Sequence, residues 1–266
     1  MKRLVVLGGG ESGVGTALLG KEKGYEVFVS DFGTIKKMYK DVLIHHEIEW
    51  EEGNHTASKI LNADLVMKSP GISERIPIVE ALLNQGVSVI SEIEFAAQFT
   101  NANIIGVTGS NGKTTTTMMI YHILNKEKLS VAMGGNIGDS FAGLISKNPD
   151  HFVLELSSFQ LDGIQEFRPH IAVITNITPD HLDRYDYKFE HYIASKFRIV
   201  MNQTKDDYLI YDADDEVINA YLQTHHIQST LMPFSLTKNL AQGTYLKQNE
   251  IIIKLNKEEH IMPTTN

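Results

Sequence analysis

The chain has 266 residues, of which 42% are hydrophobic and 21% are charged, and its formal net charge is −9. This composition is typical of a globular protein long enough for two domains. The acidic balance without a basic block excludes a nucleic-acid backbone as an expected partner. The absence of cysteine excludes disulfides and thiol catalysis, and no apolar run approaches the roughly 18 residues of a membrane span.

The first part of the chain predicts a parallel α/β sheet. Its apolar runs predict strands at Leu4–Leu7, Glu26–Ser30, Asp64–Met67 and Val87–Ile90. A helix with proline in its first turn is predicted over Pro77–Gln85. Because strands alternate with helices, we predict a Rossmann-like parallel sheet domain over residues 1–93.

The first turn of this domain carries the glycine pattern G-G-G-E-S-G from Gly8 to Gly13, and Asp31 follows at the end of the second strand. Together they match a dinucleotide-binding fingerprint. Three interpretations stay open on the residues alone: NAD, another nucleotide whose diphosphate lies on the helix start, or a tight turn that needs glycine only for packing. Ser69-Pro70-Gly71-Ile72 can present backbone donors to the same ligand, although this tetrapeptide is more often a plain turn.

A second α/β unit is predicted over residues 94–266. Its strands are predicted at Ile104–Thr108, Ser130–Met133, Phe152–Leu156, Ile171–Thr175, Tyr208–Tyr211, Ser229–Phe234 and Glu250–Lys254. A helix is predicted over Phe189–Met201. The segment Met262–Asn266 has neither a helix cap nor a completed strand pattern, so we expect the chain to stop before the end of this domain.

The strongest site signal is T-G-S-N-G-K-T-T, which runs from Thr108 to Thr115 between a strand and a helix. Its glycines let backbone N–H groups face phosphate oxygens, and the helix start adds its dipole. Lys113 can reach the outer phosphates, and the Thr114 hydroxyl can hold Mg²⁺. Val107 stands where the usual pattern has glycine, so this is a variant loop, and the alternative is a glycine-rich turn. The predicted ATP-binding residues are Gly109, Ser110, Asn111, Gly112, Lys113, Thr114 and Thr115.

Four other positions are candidates for ligand or metal binding, and each also has an ordinary structural explanation. Asn136, in G-G-N-I-G, can offer its carboxamide to ligand oxygens or simply lie in a turn. Glu155 ends an otherwise apolar strand and can bind Mg²⁺ or cap a helix. His181 lies in D-H-L-D-R-Y and can bind a metal or lie on a surface loop. Lys196 lies four residues after Tyr192 on the predicted helix, where a lysine is usually a solvated charge.

Taken together, T-G-S-N-G-K-T-T, G-G-N-I-G, E-L-S-S-F-Q-L and D-H-L-D-R-Y resemble, in order and spacing, the motifs of the Mur ligases. These are ATP-dependent amide-forming enzymes of peptidoglycan synthesis. E-L-S-S-F-Q-L, with the short glycine-loop domain, is most similar to the members that add D-glutamate to UDP-N-acetylmuramoyl-L-alanine. The resemblance covers the family's first two domains. It implies that a third, amino-acid-binding domain is absent, and we expect this chain by itself to be inactive.

The resemblance also implies the roles of individual residues. It implies UDP rather than NAD in the first domain, with Ser12 and Asp31 contacting the uridine diphosphate part and Gly71 nearby. It implies that Asn136 and His181 face the substrate and its diphosphate. It implies catalytic roles for Lys113, His181 and Lys196. It implies Mg²⁺ ligands among Thr114, Glu155, His181 and a carbamate carried by Lys196. Phe32 and Gly33, which follow Asp31, are not the polar residues expected at the uracil end.

The resemblance implies ATP and Mg²⁺ as cofactors and UDP-N-acetylmuramoyl-L-alanine and D-glutamate as substrates. We expect a cytoplasmic monomer with neither a nucleic-acid nor a membrane partner. One alternative is a catalytically incomplete module that binds nucleotide and UDP-substrate, and another is a Mur ligase that adds L-alanine or diaminopimelate. An NAD-dependent oxidoreductase fused to an NTPase is the unrelated alternative, which NADH binding would favour.

Overall fold

The computed structural model describes residues 1–255 and 258–264, and the chain begins with a five-stranded α/β unit. Its strands are β1 (Arg3–Leu7), β2 (Glu26–Asp31), β3 (Glu49–Glu52), β4 (Leu65–Lys68) and β5 (Ser88–Ile90). Its helices are α1 (Glu11–Glu22), α2 (Lys37–His45), α3 (Ala57–Ile60), α4 (Pro77–Asn84) and α5 (Glu92–Ala97). All strand pairs are parallel, in the order β3-β2-β1-β4-β5. The predicted Rossmann-like sheet is therefore confirmed.

A larger α/β unit follows. Its strands are β6 (Asn103–Thr108), β7 (Val131–Gly135), β8 (His151–Glu155), β9 (Ile171–Ile174), β10 (Tyr208–Asp212), β11 (Thr230–Ser235), β12 (Gly243–Lys247), β13 (Glu250–Leu255) and β14 (Glu258–Pro263). Its helices are α6 (Lys113–Lys126), α7 (Phe141–Leu144), α8 (Ser158–Asp162), α9 (Phe189–Phe197) and α10 (Glu216–Thr224). Short 3₁₀ turns lie at Ile145–Lys147, Leu182–Tyr185 and Arg198–Val200.

The strand order of this second sheet is β14-β13-β12-β11-β10-β9-β6-β8-β7. Strands β6 to β12 pair in parallel, whereas β13 and β14 continue the sheet as antiparallel neighbours. The carboxyl ends of the central parallel strands share one edge, which is where open α/β sheets bind ligands. The predicted α/β class of the second unit is confirmed.

Burial on both faces explains why the first strand reads as a continuous apolar run. Leu4 and Val6 pack into one hydrophobic cluster, whereas Val5 and Leu7 pack into another on the opposite face of the sheet. Helices on both faces of a parallel sheet remove the alternation of polar and apolar residues that marks a half-exposed strand. The run therefore predicts a central strand, as observed.

Glycine is required where α1 approaches the end of β1. Gly13 lies so close to the Gly8 carbonyl that a Cβ at this position would collide with it. Gly8 itself has φ +100, in the region that favours glycine. The glycine pattern therefore permits a tight strand-to-helix turn whatever ligand it binds.

Three strands, β3, β12 and β14, were not predicted from the sequence. Strand β3 reads E-W-E-E and lies at the edge of the first sheet, where Lys40 pairs with Glu52 at 2.6 Å and Lys59 with Glu49 at 2.8 Å. Acidic residues are poor strand formers, so only the pairing with β2 reveals it. Strand β12 is likewise held by β11 and β13 on its two sides.

The end of the chain corrects one prediction. Met262 and Pro263 are the last residues of β14, which pairs antiparallel with β13, so the prediction of no completed strand is wrong for them. The hairpin partner supplies the order that the local sequence lacks, and proline is tolerated at the end of an edge strand. Thr265 and Asn266 lie outside the described residues. The predicted helix over Phe189–Met201 is α-helical only to Phe197 and then tightens into a 3₁₀ turn.

The two units share a hydrophobic core. Phe95 from α5 and Phe141 from α7 belong to the same buried cluster as Leu4 of the first sheet and Phe152 of the second. The last strand of the first sheet ends at Ile90, and the first strand of the second begins at Asn103. The division into 1–93 and 94–266 stays a prediction. Within the described part of the chain, no helix is both long and apolar enough to cross a membrane.

A buried carboxylate joins the units near this boundary. Glu94 is 3% exposed, and its two oxygens accept backbone N–H groups from Gln165 at 2.8 Å, Glu166 at 2.9 Å and Phe167 at 2.8 Å. Charge-assisted hydrogen bonds of this kind are stronger than neutral ones. Glu94 on α5 therefore fixes the segment between α8 and β9.

Glu94→Ala is expected to lower the free energy of unfolding by about 3 kcal/mol, because three N–H donors lose a buried acceptor. Urea unfolding followed by circular dichroism measures the change. The matched control is Glu80→Ala on the exposed side of α4, which should stay within about 0.5 kcal/mol of the unsubstituted protein. Equal effects of the two substitutions would show that Glu94 does not hold the units together.

Candidate active site

The predicted phosphate loop lies between β6 and α6, at the carboxyl edge of the second sheet. Gly109 has φ +143 and Gly112 has φ +80, and Gly112 caps the 14-residue helix α6. A side chain at Gly109 would collide with the Thr175 hydroxyl. Both glycines are therefore needed for the loop to close over the helix start, where unpaired backbone N–H groups and the helix dipole favour an anion.

Lys113 and Thr114 are the first residues of α6. The Lys113 side chain contacts the phosphate loop, and the Thr114 side chain contacts Glu155 at the end of β8. The Lys113 ammonium donates hydrogen bonds to the carbonyls of Gly109 and Ser110, each at 2.9 Å. The Thr114 hydroxyl donates to Glu155 Oε2 at 2.6 Å. A cation and a hydroxyl are therefore held beside the loop, as the sequence predicts for a triphosphate site.

Glu155 is 2% exposed, and its second oxygen accepts a hydrogen bond from the Asn136 amide at 2.8 Å. The end of β8 thus brings together three of the predicted residues, Thr114, Asn136 and Glu155. The Thr114 hydroxyl oxygen and the Glu155 carboxylate oxygens are the hard ligands that Mg²⁺ prefers, and the Asn136 amide nitrogen orients the carboxylate. The described residues contain no cluster of three or more His, Cys, Asp or Glu suited to a metal. This set fits an ion that takes one or two carboxylates and completes its shell with phosphate oxygens and water.

Lys196 is buried beneath the loop rather than solvated. It is 2% exposed, and its ammonium donates to Gly109 O at 2.8 Å and to Thr108 Oγ1 at 3.3 Å. Burial, and then repulsion from Lys113, lower the pKa of Lys196 to about 7. The usual role of a helical lysine, a charge in water, is therefore excluded here, and a substantial fraction of the amine is neutral near pH 7.

Tyr192 on α9 supports the phosphate loop through Ser110. Tyr192 is 1% exposed, and its hydroxyl lies 3.1 Å from Ser110 Oγ. Ser110 Oγ in turn donates to the carbonyl of Thr178 at 2.9 Å, in the segment that follows β9. Tyr192 of α9 and Thr178 after β9 therefore position the phosphate loop jointly.

Asn176 is a site residue that sequence reasoning missed. Its side-chain oxygen accepts the Asn111 N–H at 2.9 Å, and its side-chain nitrogen donates to the Asn111 carbonyl at 3.0 Å. The signal was available, because Asn176 follows directly after a strand that the sequence predicts. That β9 pairs with β6, and so places Asn176 beside the loop, is visible only in the fold.

His181 lies in a left-handed backbone position beside Phe159. Its backbone has φ +50, its side chain is half exposed, and its ring centroid lies 5.2 Å from that of Phe159. In the described residues no hydrogen bond joins His181 to Thr114 or Glu155. Its predicted role in metal and substrate binding therefore stays a prediction.

Three of the predicted UDP residues, Ser12, Asp31 and Gly71, lie at the carboxyl edge of the first sheet, whereas Asn136 and His181 lie in the second unit. A cleft of about 1010 Å³ is lined by Gly8, Gly10, Asp31 and Gly71, among others. Ser12 lies in the first turn of α1. The Asp31 carboxylate accepts the Gly9 N–H at 2.6 Å and the Gly33 N–H at 2.7 Å, so it orders the glycine loop itself.

Two arginines connect the first unit to the loop that carries His181. Arg184 donates to Gly71 O at 3.3 Å and Pro70 O at 3.4 Å, and its guanidinium lies 4.7 Å from the centre of the Phe159 ring. Arg75 makes a two-pronged ion pair with Asp186 at 2.7 and 2.9 Å. The loop after β4 is therefore tied to the second unit beside the phosphate site.

Comparison with known families agrees with this geometry. The Mur ligase middle domain matches residues 107–264, and the MurD N-terminal domain matches residues 3–77. The chain belongs to the Mur ligase family. The resemblance stated from the motifs is thereby confirmed, and the middle-domain match includes the phosphate loop, Glu155, His181 and Lys196 of this Mur ligase chain.

Similar proteins carry consistent names. The chain is 56% identical over 265 residues to a UDP-N-acetylmuramoylalanine–D-glutamate ligase of Christiangramia forsetii, covering 99% of this chain and 60% of that protein. It is 52% identical over 254 residues to the ligase of that name from Bacteroides thetaiotaomicron, covering 95% and 57%. The chain thus spans about 60% of the length of the curated relatives that it matches.

Solved structures show the same fold. The crystal structure of UDP-N-acetylmuramate:L-alanyl-gamma-D-glutamyl-meso-diaminopimelate ligase from Neisseria meningitides matches 97% of this chain and 86% of its own, with a TM-score of 0.65 and 20% identity. A murein peptide ligase from Psychrobacter arcticus matches 100% of this chain and 59% of its own, with a TM-score of 0.62 and 19% identity.

Proposed function

We propose that this Mur ligase chain provides the UDP-substrate and ATP sites of an enzyme that adds D-glutamate to UDP-N-acetylmuramoyl-L-alanine in peptidoglycan synthesis. The names of its relatives support the substrates. The structural observation that carries the proposal is the phosphate loop with Thr114, Glu155 and buried Lys196 at one sheet edge. ATP and Mg²⁺ are the proposed cofactors.

The proposed reaction activates a carboxylate, which is a poor acyl donor. The L-alanyl carboxylate attacks the γ-phosphorus of ATP, so that an acyl phosphate forms and ADP leaves. The amine of D-glutamate then attacks the acyl carbon, the amide forms with loss of a proton, and phosphate leaves. The main barrier is the approach of negatively charged groups, which fixed positive charge and hydrogen-bond donors lower.

The chain's own residues fit the first half of this reaction. The loop from Gly109 to Gly112 presents backbone N–H groups to the phosphate oxygens, and Lys113 supplies a fixed positive charge at the same place. Thr114 and Glu155 are the residues that would hold Mg²⁺, and Asn136 donates a hydrogen bond to Glu155. When bound, Mg²⁺ neutralises charge on the phosphates and acts as a Lewis acid.

Lys196 is suited to carry a carbamate, which a solvated lysine is not. A neutral amine can add carbon dioxide to form a carbamate, and the lowered pKa of Lys196 makes that neutral form available near pH 7. The carbamate is an anion, so it would turn a buried cation into a metal ligand. His181, on the loop tied to the first unit, is proposed to face the substrate.

The first unit is proposed to hold the UDP part of the substrate. Gly8 and Gly10 line the cleft next to the start of α1, where a diphosphate is favoured, and Gly71 lies on its rim. Asp31 keeps the glycine loop in place. The contacts of Arg184 with Pro70 and Gly71 connect the rim of this cleft with the loop that carries His181.

Calorimetric titration with UDP-N-acetylmuramoyl-L-alanine tests the proposal, with UDP and NADH as controls. The expected result is binding of the substrate, weaker binding of UDP and none of NADH. NADH binding without UDP-substrate binding would overturn it. Phosphate release with ATP and both substrates then separates a complete ligase from the second candidate, a module that binds nucleotide and UDP-substrate without turnover.

A further inference from the structure

The cleft of the first unit contains two aromatic side chains that diphosphate binding does not explain. Phe32 follows directly after β2, and its side chain is 69% exposed. His55 lies between β3 and α3, and both residues line the cleft. Their ring centroids are 5.8 Å apart and the rings are tilted by 46°. This spacing leaves no room for a base between them, so an aromatic ligand has the free face of Phe32 to stack on.

The Nδ1 side of the His55 ring is held by hydrogen bonds that run through Ser30 to Glu51. Ser30 is fully buried, and its hydroxyl lies 2.7 Å from His55 Nδ1 and 2.7 Å from Glu51 Oε1. A longer contact of 3.4 Å joins the same hydroxyl to the Asn54 carbonyl. Burial opposes ionisation of Glu51, but hydrogen bonds from Thr56 and Ser30 outweigh it and lower the pKa of Glu51. Glu51 is therefore ionised at neutral pH and can only accept.

This chain determines which nitrogen of His55 carries the proton. Because Ser30 has a single hydroxyl proton and gives it to the Glu51 carboxylate, Ser30 Oγ must accept from His55 Nδ1. Burial lowers the pKa of His55, against the attraction of Glu51 and Asp31, so the ring is neutral. A neutral ring protonated at Nδ1 has a free acceptor at Nε2. In the described residues Nε2 has no hydrogen-bond partner.

We propose that Phe32 stacks on the base of the UDP-linked substrate and that His55 Nε2 accepts an N–H from the edge of that base. The inference rests on the proposed function, since it assumes a UDP-linked ligand in this cleft. Uracil presents an N–H donor at N3, whereas cytosine presents a lone pair there that would face the lone pair of Nε2. His55 is thus a specificity-determining residue for uracil over cytosine, and Phe32 is a base-stacking residue with little preference between pyrimidines.

Calorimetric titration of the chain with UDP, CDP and inorganic pyrophosphate separates these roles. Phe32→Ala should weaken the binding of UDP and of CDP alike by about tenfold, because every base offers a face for stacking. It should leave the affinity for pyrophosphate unchanged. His55→Phe keeps an aromatic ring but removes Nε2, and it should abolish the preference for UDP over CDP. The control is Leu236→Ala, at a residue 71% exposed on the second unit, which should change neither the affinity for UDP nor the preference for UDP over CDP.

The outcomes distinguish this inference from the proposed function. If the unsubstituted chain binds neither UDP nor UDP-N-acetylmuramoyl-L-alanine, the proposed function fails. If it binds UDP but Phe32→Ala retains that affinity within about twofold, the stacking role is wrong. If His55→Phe keeps the full preference for UDP, the role of Nε2 is wrong. Phe32 is exposed, so its variant is expected to fold, and pyrophosphate binding checks the glycine loop in both.

Discussion

In a ligase of the full length of the curated relatives that contains this chain, Lys113→Ala is expected to lower phosphate release with ATP, UDP-N-acetylmuramoyl-L-alanine and D-glutamate by roughly a hundredfold to a thousandfold. The Lys113 ammonium lies 2.9 Å from two carbonyls of the phosphate loop, so its loss removes fixed positive charge from the place where phosphate charge collects. ATP titration by calorimetry should show weaker binding as well. Both effects come from the loss of electrostatic attraction between the ammonium and the phosphates.

The matched control removes the same charge from the other end of the same helix. Lys126 lies exposed in the last turn of α6, so Lys126→Ala changes the net charge equally without touching the loop. It should leave phosphate release within about twofold, as expected for a surface substitution. If both substitutions reduce activity alike, net charge rather than the position of Lys113 is responsible.

Lys196→Met should also reduce phosphate release by at least about a hundredfold, because the buried amine is lost while the length of the side chain is kept. If the amine carries a carbamate, activity of the unsubstituted protein should depend on bicarbonate, and labelled bicarbonate should give a carbamate carbon signal that Lys196→Met lacks. Lys188→Met, exposed just before α9, is the control. Full activity of Lys196→Met, or activity indifferent to bicarbonate, would contradict the metal-binding role.

The lowered pKa of Lys196 also predicts how stability depends on pH. Burial, and then Lys113, bring the folded-state pKa to about 7 from the usual 10.5. Between these values the unfolded chain holds a proton that the folded chain lacks, so the free energy of unfolding rises with pH, by at most ~1.4 kcal/mol per pH unit. Lys196→Met should lose this contribution. Urea unfolding from pH 6 to 10, without carbon dioxide, measures the free energy of unfolding of the unsubstituted protein and of Lys196→Met. Parallel dependence of the two free energies on pH would count against the lowered pKa.

The amino-acid sequence by itself determined the features that depend on near neighbours along the chain. Apolar runs predict the central strands of both sheets, because a strand buried on both faces needs apolar residues throughout. The phosphate loop is equally local, since T-G-S-N-G-K-T-T between a strand and a helix contains the glycines, the lysine and the helix start together. Only β3, β12 and β14 escaped this reasoning, because their order comes from neighbouring strands.

Tertiary structure alone decided what the polar side chains meet. Lys196 has the spacing of a solvated helical lysine, yet α9 packs under the phosphate loop and buries it. Glu155 has partners only because α6 and the end of β7 bring Thr114 and Asn136 to its two oxygens. Phe32 and His55 meet because β2 and β3 are parallel neighbours. Burial and hydrogen-bond partners depend on residues distant in the chain, so pKa, protonation and specificity follow from the fold.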